Sequence, residues 1–204
     1  MNITAIQQQV RRAGRYSIYV DQNYAFSLSA DVLLNEKLYV GQELDAVQLK
    51  TYKKLSADDK AYSLALAYVV RRMRSRFELT DYFRRKGYDA ALNQQILDRL
   101  TGLGLVDDQK FAEAWVRNRR LLKPVSRRRL VQELRQKRVA DDIINQVLAA
   151  DQTSEAAVLR ELIERKRKQS RYQDNLKLMR YLVGQGFGYD AVKTALKHDG
   201  QDAL

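Results

Sequence analysis

Segment 79–88, LTDYFRRKGY, decides the fold, because its spacing of apolar residues occurs three times in the chain. It returns at 130–139 as LVQELRQKRV and at 178–187 as LMRYLVGQGF, offsets of 51 and then 48 residues. Each copy is followed by an apolar pair: Ile96-Leu97, Val147-Leu148 and Ala195-Leu196. Self-similarity at this period predicts tandem helical repeats, in which each repeat buries part of its apolar face against its neighbour. We expect an elongated array that presents a long surface to another macromolecule.

Capping motifs mark where the helices of these repeats begin. Ser75-x-x-Glu78 is a capping box, in which the hydroxyl accepts from the third amide and the carboxylate returns to the cap amide. Ser56-x-x-Asp59 resembles one. The two motifs predict helices that start near residues 76 and 58.

The first 55 residues have a different pattern and are predicted to form a small β-rich module. Segments 15–20 and 24–28 are aromatic and β-branched and predict a hairpin, with a third strand at 4–12. A short helix at 30–35 and an extended segment at 38–40 complete the module. The predicted fold class is mainly α: a tandem, solenoid-like array of three three-helix repeats after an N-terminal β-hairpin module. The predicted domains are 1–55, 56–106, 107–150 and 151–204.

Positive charge is concentrated on the repeats. The chain has 37 Lys and Arg against 25 Asp and Glu, a net charge of +12. Residues 1–58 contribute +1 of this and residues 59–204 contribute +11. Segment 110–138 alone has eleven basic residues against Glu113 and Glu133. Such a concentration favours a polyanionic partner such as nucleic acid or a nucleoprotein, although an anionic membrane would also be attracted. A solvated helical surface is the alternative.

The candidate binding residues are the basic side chains of all three repeats: Arg71, Arg72, Arg74, Arg76, Arg117, Arg119, Arg120, Lys123, Arg127, Arg128, Arg129, Arg135, Lys137, Arg165, Lys166, Arg167 and Lys168. On helix 126–138, steps of about 100° turn Leu130 and Leu134 toward the core and place Arg128 and Arg135 together on an exposed side. Arg127 flanks the apolar arc, where it either covers the core edge or binds a partner.

The sequence lacks the residues on which most enzymes depend. It has no cysteine, one histidine (His198), no G-x-x-x-x-G-K-[ST] phosphate loop and no clustered metal ligands. Asp107 and Asp108 are interpreted as helix caps. We therefore expect no catalytic residues, no metal and no cofactor. With no signal segment and no long apolar stretch, we expect a cytoplasmic protein without membrane association.

A helix-turn-helix transcription regulator is the alternative function, because helix–turn–helix patterns recur in each repeat. Such a regulator requires an exposed basic recognition helix that enters the major groove. Segment 89–100 offers only Arg99 against Asp89 and Asp98, and segment 141–151 has no basic residue. The third helices therefore weigh against sequence-specific recognition.

Three motifs in order resemble the RecX family of bacterial recombination regulators. They are Ser75-x3-Leu79-x3-Phe83-x2-Lys86-Gly87, Leu103-Gly104-Leu105-Val106-Asp107-Asp108-x2-Phe111-Ala112 and Ser126-Arg127-x2-Leu130-x2-Glu133-Leu134-x2-Lys137. The match covers roughly residues 15–198. The resemblance implies a protein that binds RecA filaments on single-stranded DNA in the filament groove and inhibits ATP hydrolysis, strand exchange and coprotease activity. It would thereby regulate homologous recombination, DNA repair and the SOS response.

We expect a monomer that binds single-stranded DNA weakly and without sequence preference, with duplex binding left open. Two features depart from the family pattern. Arg138 stands where the pattern usually has glycine, so the helix before it either continues or closes with strain. The first helix of the third repeat has the mixed-charge cluster 161–168, ELIERKRK.

Overall fold

The computed structural model describes residues 1–199, which are mainly helical with a three-stranded antiparallel sheet near the N-terminus. The strands are β1 (Ile3–Gln8), β2 (Arg15–Val20) and β3 (Asn23–Ser29). The helices are α1 (Ala30–Asn35), α2 (Ala46–Val70), α3 (Arg76–Lys86), α4 (Ala90–Gly102), α5 (Asp108–Leu122), α6 (Arg127–Gln136), α7 (Asp141–Ala150), α8 (Glu155–Arg167), α9 (Asn175–Gly184) and α10 (Tyr189–Asp199). The predicted fold class, mainly α with a small N-terminal hairpin module, is confirmed.

The chain forms two compact units. One consists of residues 1–72 and 82–105, and the other of residues 73–81 and 106 onward. Within the second unit, α5, α6 and α7 enclose one core, and α8, α9 and α10 enclose another. These are the second and third of the predicted three-helix groups, and α2, α3 and α4 are the first.

The predicted hairpin is confirmed, the predicted third strand is confirmed over residues 3–8 of 4–12, and no strand forms at 38–40, where an extended segment is predicted. β2 and β3 are joined by Asp21 and Gln22, both with positive φ (47° and 68°), the twist that a tight two-residue turn requires. The outer edge of β1 pairs further along the chain, where Ile3 N donates to Gln42 O at 2.9 Å. Leu38 instead lies buried in the core of the module.

Helix α2 corrects the predicted helix start near residue 58. It begins at Ala46 behind a capping box, with Gln48 N donating to Asp45 Oδ1 at 2.7 Å and Asp45 N donating to Gln48 Oε1 at 2.9 Å. Ser56 lies inside the helix, where its Oγ donates to Ser27 O at 2.7 Å. A serine followed by an aspartate three residues later is typical of a helix cap, but here both side chains form hydrogen bonds with β3. The helix runs through the predicted boundary at 55.

A buried polar network joins this helix to the hairpin. Asp59 accepts from Arg15 Nη1 at 3.0 Å, Ser29 N at 2.8 Å and Ser29 Oγ at 2.7 Å. Arg15 Nε donates to Ser27 Oγ at 2.9 Å. Arg15 and Asp59 are each only 6% exposed, so their charges are satisfied within the protein. The hairpin and the first half of α2 are therefore parts of one folded unit.

The predicted caps of the repeats hold in most details. Ser75 Oγ accepts from Glu78 N at 3.2 Å, and Asp107 Oδ1 accepts from Lys110 N at 3.0 Å. Asp108 is a cap of a different helix, because its Oδ1 accepts from Arg76 N, at the start of α3, at 2.8 Å. Burial raises the pKa of Asp108 despite that hydrogen bond.

Arg138 closes its helix with strain. Helix α6 ends at Gln136, and Arg138 adopts a φ of +55°, the conformation that Gly87 and Gly186 adopt at +73° and +91° in the other two repeats. A side chain in this region costs energy that glycine avoids. Without glycine at this position, the helix could either continue or end with a strained residue. It ends at Gln136, and Arg138 has the strained conformation.

Within the second unit, the second helices meet end to end through buried serines. Ser75 Oγ, before α3, donates to Lys137 O, at the end of α6, at 3.0 Å. Ser126 N, before α6, donates to Gln185 O, at the end of α9, at 3.2 Å. Both serines are fully buried. Each junction sets the amide end of one helix dipole against the carbonyl end of the next, which is a favourable arrangement.

Candidate nucleic-acid interface

The positively charged segment of the second repeat lies on the outside of a tightly filled core. Leu130 and Leu134 of α6 are fully buried, as predicted, together with Phe111 of α5. Trp115 packs partly buried against the same core, and its indole N–H donates to Glu133 at 2.9 Å. Trp115 is thus a packing residue. The basic side chains around this core differ in the groups that they contact.

Glu133 holds part of that charge inside the repeat. This nearly buried carboxylate on α6 accepts from Arg119 Nε at 2.8 Å, and Arg129 Nε lies 3.6 Å from its other oxygen. Arg119 also lies over the ring of Trp115, 5.1 Å from its centroid. Two of the candidate binding residues therefore have a partner within the fold.

Arg120 is an internal structural residue. Its Nε and Nη2 donate to Asp151 Oδ2 at 3.0 and 2.8 Å, and its Nη1 donates to Val125 O at 2.8 Å. Both side chains of the pair are nearly buried, at 12% and 11% exposure. Burial alone would raise the pKa of Asp151, but hydrogen bonds from Thr153 and Arg120 together outweigh it and lower that pKa. Arg120 thus ties the end of α5 to the end of α7.

Lys137 belongs to the junction between α3 and α6. Its Nζ donates to Glu78 Oε1 at 2.7 Å and lies 5.3 Å from the centroid of the Trp115 ring. The charge of Lys137 is therefore balanced where the two helices meet. Glu78 has a second role that its capping position alone did not predict.

The remaining candidates of the second repeat face outward. The exposed side chains of Arg117, Lys123, Arg127 and Arg128 make no hydrogen bond or ion pair within residues 1–199. Arg135 is exposed as well, but its guanidinium binds Asp141 at 2.8 and 3.2 Å. This hydrogen-bonded pair raises the pKa of Arg135 and lowers that of Asp141. Arg128 and Arg135 both lie on exposed surface, but only Arg128 has its charge unbalanced.

The position of Arg127, Arg128 and Arg129 opposes the helix dipole. All three lie in the first turn of α6, which has no acidic residue. Cations at a helix N-terminus are unfavourable, whereas anions are bound there by the free amides and the dipole. The amide of Arg127 is the exception, because it donates to Glu155 Oε1 at 3.2 Å. The three arginines therefore lie where the helix dipole disfavours positive charge, and only Arg129 has a carboxylate near its guanidinium within residues 1–199.

The basic cluster of the third repeat, residues 165–168, differs from the α6 arginines because its position is favourable within the fold. Arg165, Lys166 and Arg167 lie in the last turn of α8, where the dipole favours cations. Arg167 Nε donates to Asp199 at 2.8 Å, and Lys166 Nζ lies 4.6 Å from the ring centroid of Tyr181. Arg165 and Lys168 remain exposed.

The candidates of the first repeat lie at the ends of two helices. Arg71 and Arg72 are exposed and follow the last residue of α2. Arg74 and Arg76 are half-buried and lead into α3, and the amide of Arg76 donates to Asp108. All four side chains are positively charged, and Arg74 and Arg76 are less exposed than Arg71 and Arg72.

The third helices of the repeats present acidic starts. Asp89 caps α4, and Asp141 and Asp142 open α7, whose described surface includes no basic residue. Arg99 of α4 lies over the ring of Tyr62, 3.9 Å from its centroid. The amide side chains of α4 (Asn93, Gln94 and Gln95) and of α7 (Asn145 and Gln146) are of a type that reads bases, but Arg99 is the only basic residue on these two helices. The two helices therefore lack the positive charge that holds a recognition helix against the phosphates. Residues 1–199 contain no grouping of three or more His, Cys, Asp or Glu that could hold a metal ion. Over the same residues no helix is long and apolar enough to cross a membrane.

Comparisons with known proteins identify similar domains along most of the chain. Residues 1–45 match the Regulatory protein RecX N-terminal domain, residues 61–100 match the first three-helix domain of RecX, and residues 107–148 match its second three-helix domain. The regulatory protein RecX of Bacillus licheniformis is 32% identical over 200 residues, covering 96% of this chain and 76% of the relative. That of Bacillus pumilus is 32% identical over 207 residues, covering 98% and 79%.

Solved structures give the same result for the fold. A crystal structure of regulatory protein RecX superposes with a TM-score of 0.69 at 28% identity, covering 96% of this chain and 98% of that one. The crystal structure of RecX from Lactobacillus salivarius has a TM-score of 0.56 at 24% identity and covers 69% of this chain and 95% of that one.

Proposed function

The chain belongs to the RecX family of regulatory proteins, and we propose that it binds the RecA filament on single-stranded DNA in the filament groove. Bound there as a monomer, it inhibits ATP hydrolysis, strand exchange and coprotease activity without enzymatic chemistry of its own. It thereby modulates recombination and DNA repair in the cytoplasm. The family membership motivates the partner, and the arrangement of charge motivates the mode of binding.

The observation that supports this proposal most is the arginine cluster at the start of α6. The side chains of Arg127 and Arg128 are exposed, make no hydrogen bond or ion pair within residues 1–199, and oppose the helix dipole, while the backbone amide of Arg127 donates to Glu155. Phosphate oxygens or acidic side chains of a filament would supply the missing anions. Arg119, Arg120, Lys137 and Arg167 already have such partners in the fold and contribute less.

The mechanism follows from many modest charge contacts. Each phosphate neutralised by an arginine or lysine releases condensed counterions, so binding weakens steeply as salt increases. Phosphate contacts fix position without reading sequence, which fits a partner whose DNA sequence varies along the filament. A protein that bridges adjacent recombinase subunits in the groove would hinder both entry of a second DNA strand and the subunit rearrangements of nucleotide turnover.

A titration of the cognate RecA tests the proposal. The single-strand-dependent ATPase of RecA is measured while this protein is added. Inhibition at substoichiometric amounts indicates capping of filament ends, and inhibition near one molecule per few subunits indicates coating of the groove. If the ATPase is unaffected at every ratio, the proposal is wrong.

The alternative, a helix-turn-helix transcription regulator, makes a different prediction for DNA binding. Specific binders discriminate their sites from other DNA by about 10³ or more. The acidic starts of α4 and α7 weigh against that behaviour. A competition assay in which one duplex sequence is preferred more than about a hundredfold would favour the alternative over filament regulation.

A further inference from the structure

The third repeat has an open groove between α8 and α10. Its cavity volume is about 910 Å³. Beneath it, as its floor, lie Leu159 and Ile163 of α8 and Phe187, just before α10, which belong to the core of the repeat and are only 2–3% exposed. The groove lies entirely within the second unit and includes none of the candidate basic residues of the second repeat.

Small side chains line the walls above that floor. Ala156 of α8 and Ala191 and Thr194 of α10 border the groove and are exposed. Short side chains on two neighbouring helices allow another backbone to approach closely. The opening therefore suits an elongated peptide segment laid between the helices.

Carboxylates dominate the rim of the groove. Glu155, Glu164 and Asp190 lie along it, together with Arg160 and His198. Glu155 also accepts from the amide of Arg127 at 3.2 Å. The carboxylate of Asp199 also borders the groove, but Arg167 balances it at 2.8 Å. In a chain of net charge +12, the sign of the local charge is thus reversed. Phosphates are repelled from such a rim, whereas lysine and arginine side chains are attracted.

We propose that the groove between α8 and α10 is a docking site for a cationic amphipathic helix of a protein partner. The apolar side chains of that helix would pack on Ala156, Ala191 and Ala195 above the nearly buried floor, and its basic side chains would meet Glu164, Asp190 and the exposed part of Glu155. This is the helix-in-groove mode of peptide recognition, with charge at the rim selecting the partner. The inference does not rest on the proposed filament regulation, because it uses a ligand of opposite charge, although the two surfaces adjoin where Glu155 accepts from the amide of Arg127.

Fluorescence anisotropy with a defined peptide tests this site on the full chain. The probe is a fluorescein-labelled helical peptide of about 14 residues, roughly 20 Å long, with leucines at i, i+3, i+4 and i+7 and lysines and alanines elsewhere. We expect saturable binding of this peptide, and at least about tenfold weaker binding when glutamates replace its lysines. Absence of binding, or equal binding of the two peptides, would overturn the proposal.

Neighbouring residues on α8 provide matched variants. Ala156→Trp fills the groove and should weaken binding about tenfold, whereas Ala157→Trp, exposed on the same helix outside the lining, should leave it unchanged. Glu164→Lys should weaken the lysine peptide and strengthen the glutamate peptide, and Glu161→Lys should do neither. The charge swap alters only exposed side chains, so it tests the site even if the tryptophan variant unfolds. Equal effects of the lining and non-lining variants would refute the assignment.

Single-stranded DNA is the competing ligand to exclude. A fluorescein-labelled oligothymidylate, measured without the peptide, should bind the wild-type chain and Ala156→Trp equally, because the rim repels phosphates. Loss of oligonucleotide binding in Ala156→Trp would show that the groove holds nucleic acid and would overturn the proposal. A groove variant that loses peptide binding but still inhibits RecA separates this site from the proposed function. An α6 arginine variant that loses inhibition but still binds the peptide does the same.

Discussion

Arg120 and Asp151 form a nearly buried bidentate ion pair, with two guanidinium nitrogens 3.0 and 2.8 Å from one carboxylate oxygen. The pair connects the end of α5 with the residue that follows α7. Arg117 and Arg119 lie on the same helix as Arg120, and Arg128 lies in the first turn of the next helix, α6. These three side chains are exposed or half-exposed. The structure distinguishes these residues by their partners, and that distinction yields the first two predictions.

Arg120→Ala should destabilise the second unit rather than weaken binding directly. Removing one partner of a buried pair leaves the other charge uncompensated, which costs about 3 kcal/mol. Chemical denaturation measures the change in the free energy of unfolding. Arg117→Ala on the exposed face of the same helix is the control and should change stability by no more than about 0.5 kcal/mol. Similar stability of the two variants would contradict the structural role of Arg120.

Replacing Arg127 and Arg128 with glutamate should abolish RecA inhibition with little change in stability. Acidic residues in the first turn of α6 favour the helix dipole by about 0.3–1 kcal/mol each, so the melting temperature should stay level or rise. The ATPase titration measures the loss of inhibition. Lys50→Glu/Lys53→Glu on α2 makes the same change in net charge and should still inhibit. If the α6 variant inhibits at wild-type concentrations, these arginines are only a solvated face.

Gly186→Ala should destabilise the junction between α6 and α9. A Cβ at this position would lie 2.4 Å from Ser126 Oγ, and the residue has a φ of +91°. Overlap and backbone strain together should cost about 2–4 kcal/mol. Gly184→Ala is the matched control, because its Cβ meets nothing within 4 Å and the position is helical, so stability should rise by about 0.5–1 kcal/mol. Opposite shifts in the denaturation midpoint are the expected result.

Arg138→Gly should stabilise the second unit by about 0.5–1 kcal/mol. The substitution removes the cost of a side chain at a φ of +55°, offset in part by the greater freedom of glycine in the unfolded chain. It also removes the contact of the guanidinium with the ring of Phe77, 5.8 Å to the centroid. Arg138→Val should have the opposite effect, since a β-branched residue tolerates this conformation poorly. A more stable valine variant would show that the backbone strain is unimportant.

Asp59→Ala should destabilise the first unit by about 3–5 kcal/mol, because it leaves the buried guanidinium of Arg15 without its anion. Asp58→Ala, its neighbour on α2, should have a small effect. Thermal unfolding followed by circular dichroism distinguishes the two. Equal melting temperatures would mean that the hairpin is an appended module, as the sequence had suggested.

The repeats were predictable from the sequence because they depend on local signals. Caps such as Ser75 and Asp107 satisfy amides within three residues, and the apolar spacing identifies the buried face of each helix. The same locality caused the error at Ser56, where a motif that fits a cap lies within α2. The contacts that decide its role come from Ser27, 29 residues away in the chain.

The candidate interface was less predictable for a related reason. A sequence shows that an arginine is charged but does not show which carboxylate it meets. Arg120 and Arg128 look equivalent in the sequence, yet Asp151 lies 31 residues beyond Arg120 and meets it only in the folded chain. One signal that distinguishes Arg128 is present in the sequence. Ser126 marks the start of α6, so the sequence alone places Arg128 in the first turn, where the helix dipole disfavours a positive charge.

The serine junctions have no counterpart at the start of the third repeat's second helix. In the two earlier repeats a neutral, fully buried serine meets the terminal carbonyls of the next repeat's second helix. Asp174 takes this place before α9, is exposed, and uses its carboxylate on the amides of Leu176 and Lys177 at 2.7 and 3.1 Å. The start of α9 therefore presents a negative charge where the starts of α3 and α6 present a neutral hydroxyl, so it would repel the carbonyl end of another helix rather than receive it.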